Sequence, residues 1–187
     1  MAKLLDKALV IDVESTCWEH APPRGQISEI IEVGLCVVDL QLLQRVDRVS
    51  MMVKPERSEV SPFCSQLTSI APDMLRAAPR LAEVVRVLRD RYRSADRLMA
   101  SWGDYDRNQF TRNCRTYDIK YPFGPTHLNI KTLFSAALGL PREVGVPEAC
   151  RQVGLTMEGT HHRGGDDAWN IARLFCLLLQ RFRRAGL

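Results

Sequence analysis

The sequence predicts a single α/β domain with a mixed β-sheet flanked by helices. Three observations support this fold class. Short apolar runs rich in β-branched residues occupy much of the first 53 residues, as expected of strands. Segments with helical periodicity then alternate with two further short apolar runs. The chain of 187 residues is also long enough for one domain with its own core.

Three strands are predicted before residue 54. Residues 8–13, ALVIDV, form an apolar run that is typical of a buried strand. Residues 29–39 and 45–53 are interpreted as two further strands. The short link Leu40–Gln44 predicts an antiparallel hairpin between these two.

Helices separated by two short strands are predicted in the rest of the chain. A loop is expected between Pro55 and Pro62. Arg80–Arg93 is predicted to be an amphipathic helix, because apolar residues from Leu81 to Leu88 fall on one face. The other predicted elements are a turn at Asp73–Leu75, a strand at 97–102, a helix at 106–117, a strand at His127–Ile130, and helices through Leu138, at 147–153 and at about 166–184.

Composition favours a globular protein, with 45% hydrophobic and 26% charged residues. No apolar stretch reaches about 18 residues, so we expect no membrane partner. The first apolar segment contains an Asp and lacks a small-residue cleavage site, so we expect no secretory signal. Six cysteines without CxxC or zinc-finger spacing predict free thiols in a reducing cytoplasm. The net charge of +4, mostly from Arg, suits a polyanionic partner, although many other proteins are equally basic.

The first acidic motif is Asp12-Val13-Glu14, at the end of the first predicted strand. Alternate side chains of a strand share a face, so Asp12 and Glu14 should project together. Two such carboxylates repel, and a hard divalent cation such as Mg²⁺ or Mn²⁺ would relieve the repulsion. The alternative is a strand end that simply emerges into solvent.

The second acidic motif is Trp102-Gly103-Asp104-Tyr105-Asp106, between a predicted strand and a helix. One Asp is expected to cap the helix, and the other could reach the same cleft as the first motif.

The third motif runs from His161 to Ala168 and leads into the last helix. One of Asp166 and Asp167 is expected to cap that helix while the other serves a metal, and a loop His is suited to general-base work. Surface histidines beside a capping box are the alternative. Together, the three motifs supply what two-metal phosphoryl transfer needs.

In combination these motifs resemble the DEDDh exonucleases, which belong to the DnaQ-like superfamily and have an RNase H-like fold. The resemblance rests on Asp12–Thr16, on Trp102–Asp106, and on His162 followed after four residues by Asp167 and then by Ala168–Ala172. It covers about residues 7–180. It implies a single DEDDh exonuclease domain at 1–187, with three antiparallel strands followed by two parallel strands in a five-stranded sheet.

The sequence is most similar to the branch that contains the histone-mRNA and small-RNA 3′ exonucleases and KapD-like proteins. The similarity lies in Glu29–Gly34, in Lys54-Pro55 with Ser61–Ile70, and in the run from His162. Cys17 follows the Thr of the first motif, where other branches commonly have Gly. This branch implies a 3′→5′ exoribonuclease that releases nucleoside 5′-monophosphates from single-stranded RNA or a 3′ overhang.

The resemblance also implies roles for individual residues. The ligands of two divalent ions, Mg²⁺ or Mn²⁺, would be Asp12, Glu14, Asp106 and Asp167. His162 would be the general base, by its spacing from the last Asp. Asp106 is preferred over Asp104 because it follows an aromatic residue and opens a helix. Asp104 is then the expected cap, and His161 and Asp166 receive no role.

Six further residues are predicted near the substrate, namely Thr16, Cys17, Trp18, Leu67, Ile70 and Arg163. The first two would meet the terminal nucleotide and its 3′-OH. Leu67 and Ile70 would pack on the terminal base, or else belong to the core. Trp18 could stack on a base or be an ordinary loop residue, and Arg163 could hold a phosphate or face solvent.

Two other functions stay open at this point. One is a DNA or short-oligonucleotide 3′→5′ exonuclease, because no residue identifies a contact with the 2′-OH of RNA. The other is a catalytically silent RNA-binding subunit, although all four carboxylates and the His are present. A homodimer also stays open, since the basic end of the last helix could contact RNA, a second subunit or solvent.

Overall fold

The computed structural model describes residues 3–186, which form a five-stranded sheet in the order β3-β2-β1-β4-β5. The strands are β1 Leu4–Ser15, β2 Ile30–Asp39, β3 Gln44–Met52, β4 Arg97–Ser101 and β5 His127–Asn129. The first three pair antiparallel, and β4 and β5 extend the sheet in parallel from β1. The predicted mixed sheet, including the β2–β3 hairpin, is confirmed.

The helices cover both faces of this sheet. They are α1 Pro62–Thr68, α2 Pro72–Leu75, α3 Leu81–Asp90, α4 Tyr105–Thr116, α5 Ile130–Ala137, α6 Val146–Gln152 and α7 Gly164–Arg184. Among residues 3–186, no helix has the length and apolarity needed to cross a membrane. All six cysteines lie in this range and are free thiols, as predicted.

Helix α1 is absent from the sequence-based prediction, which assigns no element there. It begins after Ser61, whose hydroxyl accepts a hydrogen bond from the Cys64 N–H at 3.0 Å, and it has Pro62 in its first turn. It ends at Ser69 in the left-handed conformation, with φ of 59°. The Ser-Pro start signal was therefore present in the sequence, but seven residues are too few for a clear helical period.

The two faces of β1 feed two different cores. Ala8 and Val10 pack with the apolar face of α7. Leu9, Ile11 and Val13 point the other way and pack with α3 and α4. Because both faces of the central strand are covered there, it is apolar at every position from Ala8 to Ile11, just before the acidic residues.

Glycine allows α7 to approach the sheet at close range. A Cβ atom on Gly34 of β2 would overlap the backbone of Gly164, and one on Gly164 would lie 2.9 Å from the Asp12 carbonyl oxygen. The start of α7 therefore lies directly against β1 and β2. This contact brings Asp167, in the first turn of α7, beside the acidic end of β1.

Candidate active site

The three sequence motifs meet in one cavity of about 370 Å³, which we call the acidic cleft. Its lining is Asp12, Val13, Glu14, Ser15, Cys17, Leu67, Trp102, Tyr105, Asp106, Gly145, Val146, Pro147, His161, His162 and Asp167. The carboxylates come from β1, from the start of α4 after β4, and from the start of α7. These elements are neighbours because β4 pairs with β1 and α7 packs on β1 and β2.

The side chains of the two Asp residues of the second motif point to different places. Asp106 is buried and its Oδ1 accepts a hydrogen bond of 2.9 Å from the Val13 N–H, between the two acidic residues of β1. Asp104 turns away, towards Asn129 at 3.3 Å and towards Arg107 and His127. Asp104 occupies the N-cap position of α4, but its side chain makes no capping bond within the described residues. The predicted capping by Asp104 is therefore wrong.

In the third motif, the prediction that one of Asp166 and Asp167 caps α7 is wrong. Asp167 is buried and faces the acidic cleft. Asp166 does not cap α7, because Arg163 holds the N-cap position. Instead, the Asp166 carboxylate accepts a hydrogen bond of 2.6 Å from the Thr160 N–H and pairs with Arg48 of β3. It thereby fixes the loop before α7 to the edge of the sheet.

The carboxylates of the acidic cleft repel one another. Burial, followed by the charges of Asp106 and Asp167, raises the pKa of Asp12 well above its ordinary value. Burial and the charges of Asp167 and Glu32 raise the pKa of Glu14 to about 8. Burial also raises the pKa of Asp106 to about 7. Such repulsion marks a site built for positive charge, as functional sites commonly are.

The donor atoms suit a hard divalent cation. Asp12, Glu14 and Asp167 each offer a carboxylate oxygen, and these three oxygens lie within 4.8 Å of one another. Carboxylate oxygens are the ligands that Mg²⁺ and Mn²⁺ prefer. The cleft thus fits the predicted type of cofactor by both charge and ligand chemistry.

Both histidines of the third motif line the cleft, and they contact Asp167 in different ways. The His162 backbone N–H donates to Asp167 Oδ2 at 2.8 Å, and its ring stacks on that of His161 with centroids 3.9 Å apart. Burial and the neighbouring His161 lower the pKa of His162, which favours a neutral ring. His161, to which the sequence assigned no role, places its Nδ1 3.0 and 3.1 Å from the two Asp167 oxygens.

Two of the predicted substrate residues line the cleft, and two others are buried elsewhere in the fold. Cys17 and Leu67 line the cleft, and Leu67 is 39% exposed. The Thr16 side chain is buried, with its hydroxyl donating to the Ile27 carbonyl at 3.1 Å and accepting from the Glu29 N–H at 2.9 Å. Ile70 is fully buried in a small core with Ile31, Cys64 and Leu75, which is the core alternative of its prediction.

Trp18 and Arg163 lie outside the set of residues that line the cleft. Trp18 is half-buried. The Arg163 side chain does not simply face solvent, because its Nε contacts Glu32 Oε2 at 3.2 Å. Glu32 is buried and also accepts from the Gly164 N–H at 3.1 Å, so this pair helps to hold the start of α7.

Three residues that line the cleft were not among the predicted substrate residues, namely Tyr105, Val146 and Pro147. Tyr105 is 51% exposed at the cleft, although it stands in the second motif and could have been recognised there. Val146 and Pro147 come from the start of α6, about 40 residues away in sequence from the motif. The Trp102 indole N–H donates to the Val144 carbonyl at 2.9 Å, which ties the two segments together.

Comparison with known proteins identifies the family. The model of an exonuclease family, RNase_T, matches residues 9–175. The chain belongs to this exonuclease family. The match includes the four carboxylates and both histidines of the acidic cleft, so the predicted resemblance is confirmed.

Relatives of known structure or description fit this family. Human 3′-5′ exoribonuclease 1 is 28% identical over 188 residues, which are 94% of this chain and 53% of the human protein. Bacillus subtilis KapD, described as a probable 3′-5′ exonuclease, is 25% identical, with 92% and 84% of the two chains covered. The crystallographic structure of the nuclease domain of 3′hExo, a DEDDh family member bound to rAMP, has a TM-score of 0.86 and 27% identity, and covers 94% of this chain and 92% of that domain. The chain spans about half the length of the mammalian relatives that it matches. The fold prediction, an RNase H-like sheet, is confirmed.

Proposed function

We propose that residues 1–187 form a single exonuclease domain that removes nucleoside 5′-monophosphates from the 3′ end of RNA. The observation that carries this proposal is the convergence of Asp12, Glu14, Asp106, Asp167 and His162 in one cleft. The described activity of human 3′-5′ exoribonuclease 1 and the rAMP bound to the DEDDh nuclease domain support RNA as the substrate. Single-stranded RNA or a 3′ overhang fits best, because the terminal nucleotide must enter the cleft.

The carboxylates of the acidic cleft would hold the cofactor. The exonuclease family is metal dependent. We infer two divalent ions, Mg²⁺ or Mn²⁺, which when bound would lower the pKa of the attacking water and stabilise the leaving oxygen. Asp12 would contribute to holding both ions; the charges of Asp106, Asp167 and Glu14 all raise its pKa, so it lies among the other proposed ligands.

His162 would act as the general base. Its ring is half-buried at the cleft and its pKa is lowered, so a neutral ring nitrogen can accept a proton from the attacking water. Its backbone N–H is held on Asp167 at 2.8 Å, which keeps the ring next to the proposed metal ligands. The same hydrogen bond would thus position the proposed base and one proposed ligand.

The walls of the cleft would bind the terminal nucleoside. The exposed side chains of Leu67 and Tyr105 offer apolar and aromatic surface near the carboxylates. Stacking of a base on an aromatic side chain contributes about 1–3 kcal/mol. A cavity of about 370 Å³ lies in the range of sites for small ligands, so it suits one nucleotide better than a long segment.

The proposal is tested with a 5′-labelled single-stranded RNA and the DNA of the same sequence. We expect a ladder that shortens from the 3′ end with Mg²⁺ or Mn²⁺ and stops with EDTA, and faster shortening of the RNA. Equal or faster cleavage of DNA would replace RNA with DNA as the substrate. Folded protein that cleaves neither the RNA nor the DNA, and no dinucleotide either, would instead indicate the catalytically silent binding subunit.

A further inference from the structure

We propose that His161, His162 and Asp167 form a second metal site, which takes Zn²⁺ and overlaps the carboxylate cluster at Asp167, and that Zn²⁺ bound there inhibits the enzyme. The inhibitory part of this proposal rests on the proposed exonuclease function. The site differs from the carboxylate cluster because two of its three ligands are imidazole nitrogens. Each of the three residues offers a ligand atom, and these atoms lie within 4.8 Å of one another.

The spacing of the ligand atoms is close to that around zinc. Tetrahedral Zn²⁺ binds nitrogen and oxygen at about 2.0–2.2 Å, so neighbouring ligand atoms are about 3.4 Å apart. His161 Nδ1 lies 3.0 and 3.1 Å from the two Asp167 oxygens. In the metal-free protein this contact is a hydrogen bond; Zn²⁺ would replace its proton, which is released to solvent, after the exposed His161 side chain shifts by about a few tenths of an ångström. The third ligand, a ring nitrogen of His162, lies within 4.8 Å of the other two, and this ring would turn out of its stack with His161 to point the nitrogen at the ion.

The backbone brings two consecutive histidines to the same side of the chain. In an extended segment, neighbouring side chains point to opposite faces. Here His162 adopts φ of 63°, a left-handed conformation that costs free energy in a residue with a side chain. The hydrogen bond from its N–H to Asp167 compensates for part of this cost. As a result the two rings stack with an interplanar angle of 26°, and both lie beside one carboxylate.

The ligand set selects a different metal from the one that serves catalysis. Imidazole is a good ligand for Zn²⁺ and a poor one for Mg²⁺, which prefers oxygen. Asp167 belongs to both ligand groups, and His162 is the proposed base. A zinc ion at this site would therefore withdraw one ligand and the base from the reaction. His161 is the residue that separates the two sites, because only the zinc site uses it.

The first test measures metal binding without RNA. Purified protein is titrated with Co²⁺ as a spectroscopic substitute for Zn²⁺, and then with Zn²⁺ by calorimetry. We expect the visible absorption of four-coordinate Co²⁺ in the wild type, and its displacement by Zn²⁺. His161→Asn should lose this absorption and bind Zn²⁺ at least about tenfold more weakly. The matched control is His20→Asn, at an exposed loop His that is not among the residues that line the cleft, and it should bind like the wild type. Unchanged Co²⁺ absorption and Zn²⁺ affinity in His161→Asn would overturn the proposal.

The second test measures inhibition. With Mg²⁺ held in excess, we expect Zn²⁺ to inhibit RNA cleavage by the wild type and by His20→Asn at the same concentration. Inhibition of His161→Asn should need at least about tenfold more Zn²⁺. Equal inhibition of all three proteins would overturn the inhibitory role. If the folded wild type cleaves no RNA but still binds Co²⁺ through His161, the zinc site stands and the exonuclease function is rejected.

Discussion

The carboxylates of the acidic cleft, at the start of α7, and the Glu158 carboxylate, beside the same helix, have pKa values shifted in opposite directions. In the acidic cleft, Asp12, Glu14 and Asp167 face one another and the pKa values of the first two are raised. On the far side of the helix, Glu158 accepts from the Trp169 indole N–H at 2.7 Å and pairs with Arg45 and Arg173, and its pKa is lowered.

The difference separates structural charges from functional ones. Glu158 is surrounded by donors, so its charge is neutralised within the fold. Glu32 is fully buried but is also satisfied, by Ser50, Arg163 and Gly164. Within residues 3–186 no comparable set of cations surrounds the cleft carboxylates, and their repulsion favours binding of a cation from outside. A folded protein tolerates such repulsion chiefly where function requires it.

Removing a cleft carboxylate should have the largest effect. We expect Asp12→Asn to lower the rate of RNA cleavage at least about a hundredfold, because it removes a ligand shared by both proposed ions. The same variant should unfold at an equal or higher temperature in EDTA, since it relieves repulsion. Cleavage time courses and thermal unfolding measure the two effects. Wild-type activity in the purified variant would remove Asp12 from the proposed site.

Displacing α7 should disturb the cleft without touching its charges. In Gly34→Ala the new Cβ would overlap the backbone of Gly164, so we expect a loss of roughly 1–3 kcal/mol in the free energy of unfolding. Activity should fall as well, because Asp167 moves with the start of the helix. The matched control for stability is Gly145→Ala, where the nearest atom to a new Cβ is 3.8 Å away. Equal denaturation midpoints in urea for the two variants would contradict this account of the close approach.

The repulsion in the cleft also predicts a pH dependence of stability. An unfolded Glu ionises near pH 4.5, whereas Glu14 in the folded protein keeps its proton up to about pH 8. The folded state therefore binds more protons in this interval, and the free energy of unfolding of metal-free protein should fall as the pH rises through it. Thermal unfolding in EDTA at a series of pH values measures the slope. Glu14→Gln should flatten the slope, because it removes the group that titrates in this interval. Mg²⁺ should raise the stability of the wild type most near the upper end of the interval. A wild-type slope in Glu14→Gln would exclude Glu14 as its source.

Changing Glu158, the carboxylate that already has hydrogen-bond and ion-pair partners, should have the smallest effect. Glu158 is partly exposed, so its ion pairs are screened and Glu158→Gln should cost less than about 1 kcal/mol of stability. We expect RNA cleavage to be unchanged, because Glu158 lies outside the residues that line the cleft. Comparing the rate of RNA cleavage by Glu158→Gln with that by Asp12→Asn measures the contrast between Glu158 and the cleft carboxylates. A rate as low as that of Asp12→Asn would show that the groups are coupled through α7.

Local sequence signals predicted most of the fold. The apolar runs located every strand, but β1 begins at Leu4, four residues before its predicted start. Those extra residues include exposed Leu5 and two charged side chains, so hydrophobicity could not reveal them. They are strand because Lys7 pairs with Asp39 and Leu4 with Arg97, and such pairing depends on distant segments.

The candidate site was predictable in its motifs and less so in its contacts. The sequence indicated Asp106 over Asp104 and placed a His before Asp167, and the structure brings these residues together. It predicted capping by Asp104 and by one of Asp166 and Asp167, whereas these side chains bind distant groups or face the cleft. Propensity describes what a residue does beside its neighbours in sequence, and tertiary partners can override it.

The sequence by itself predicted the fold class and, through the resemblance of its three short motifs, the family and the four carboxylates, because residue types at fixed spacings within a motif are local signals. The tertiary structure alone decided which other side chains line the cleft, that Ile70 belongs to a core, and that His161 touches Asp167. It also showed that Gly34 and Gly164 let α7 carry its carboxylate to β1. These relations depend on distances between residues far apart in the chain, which only the folded packing sets.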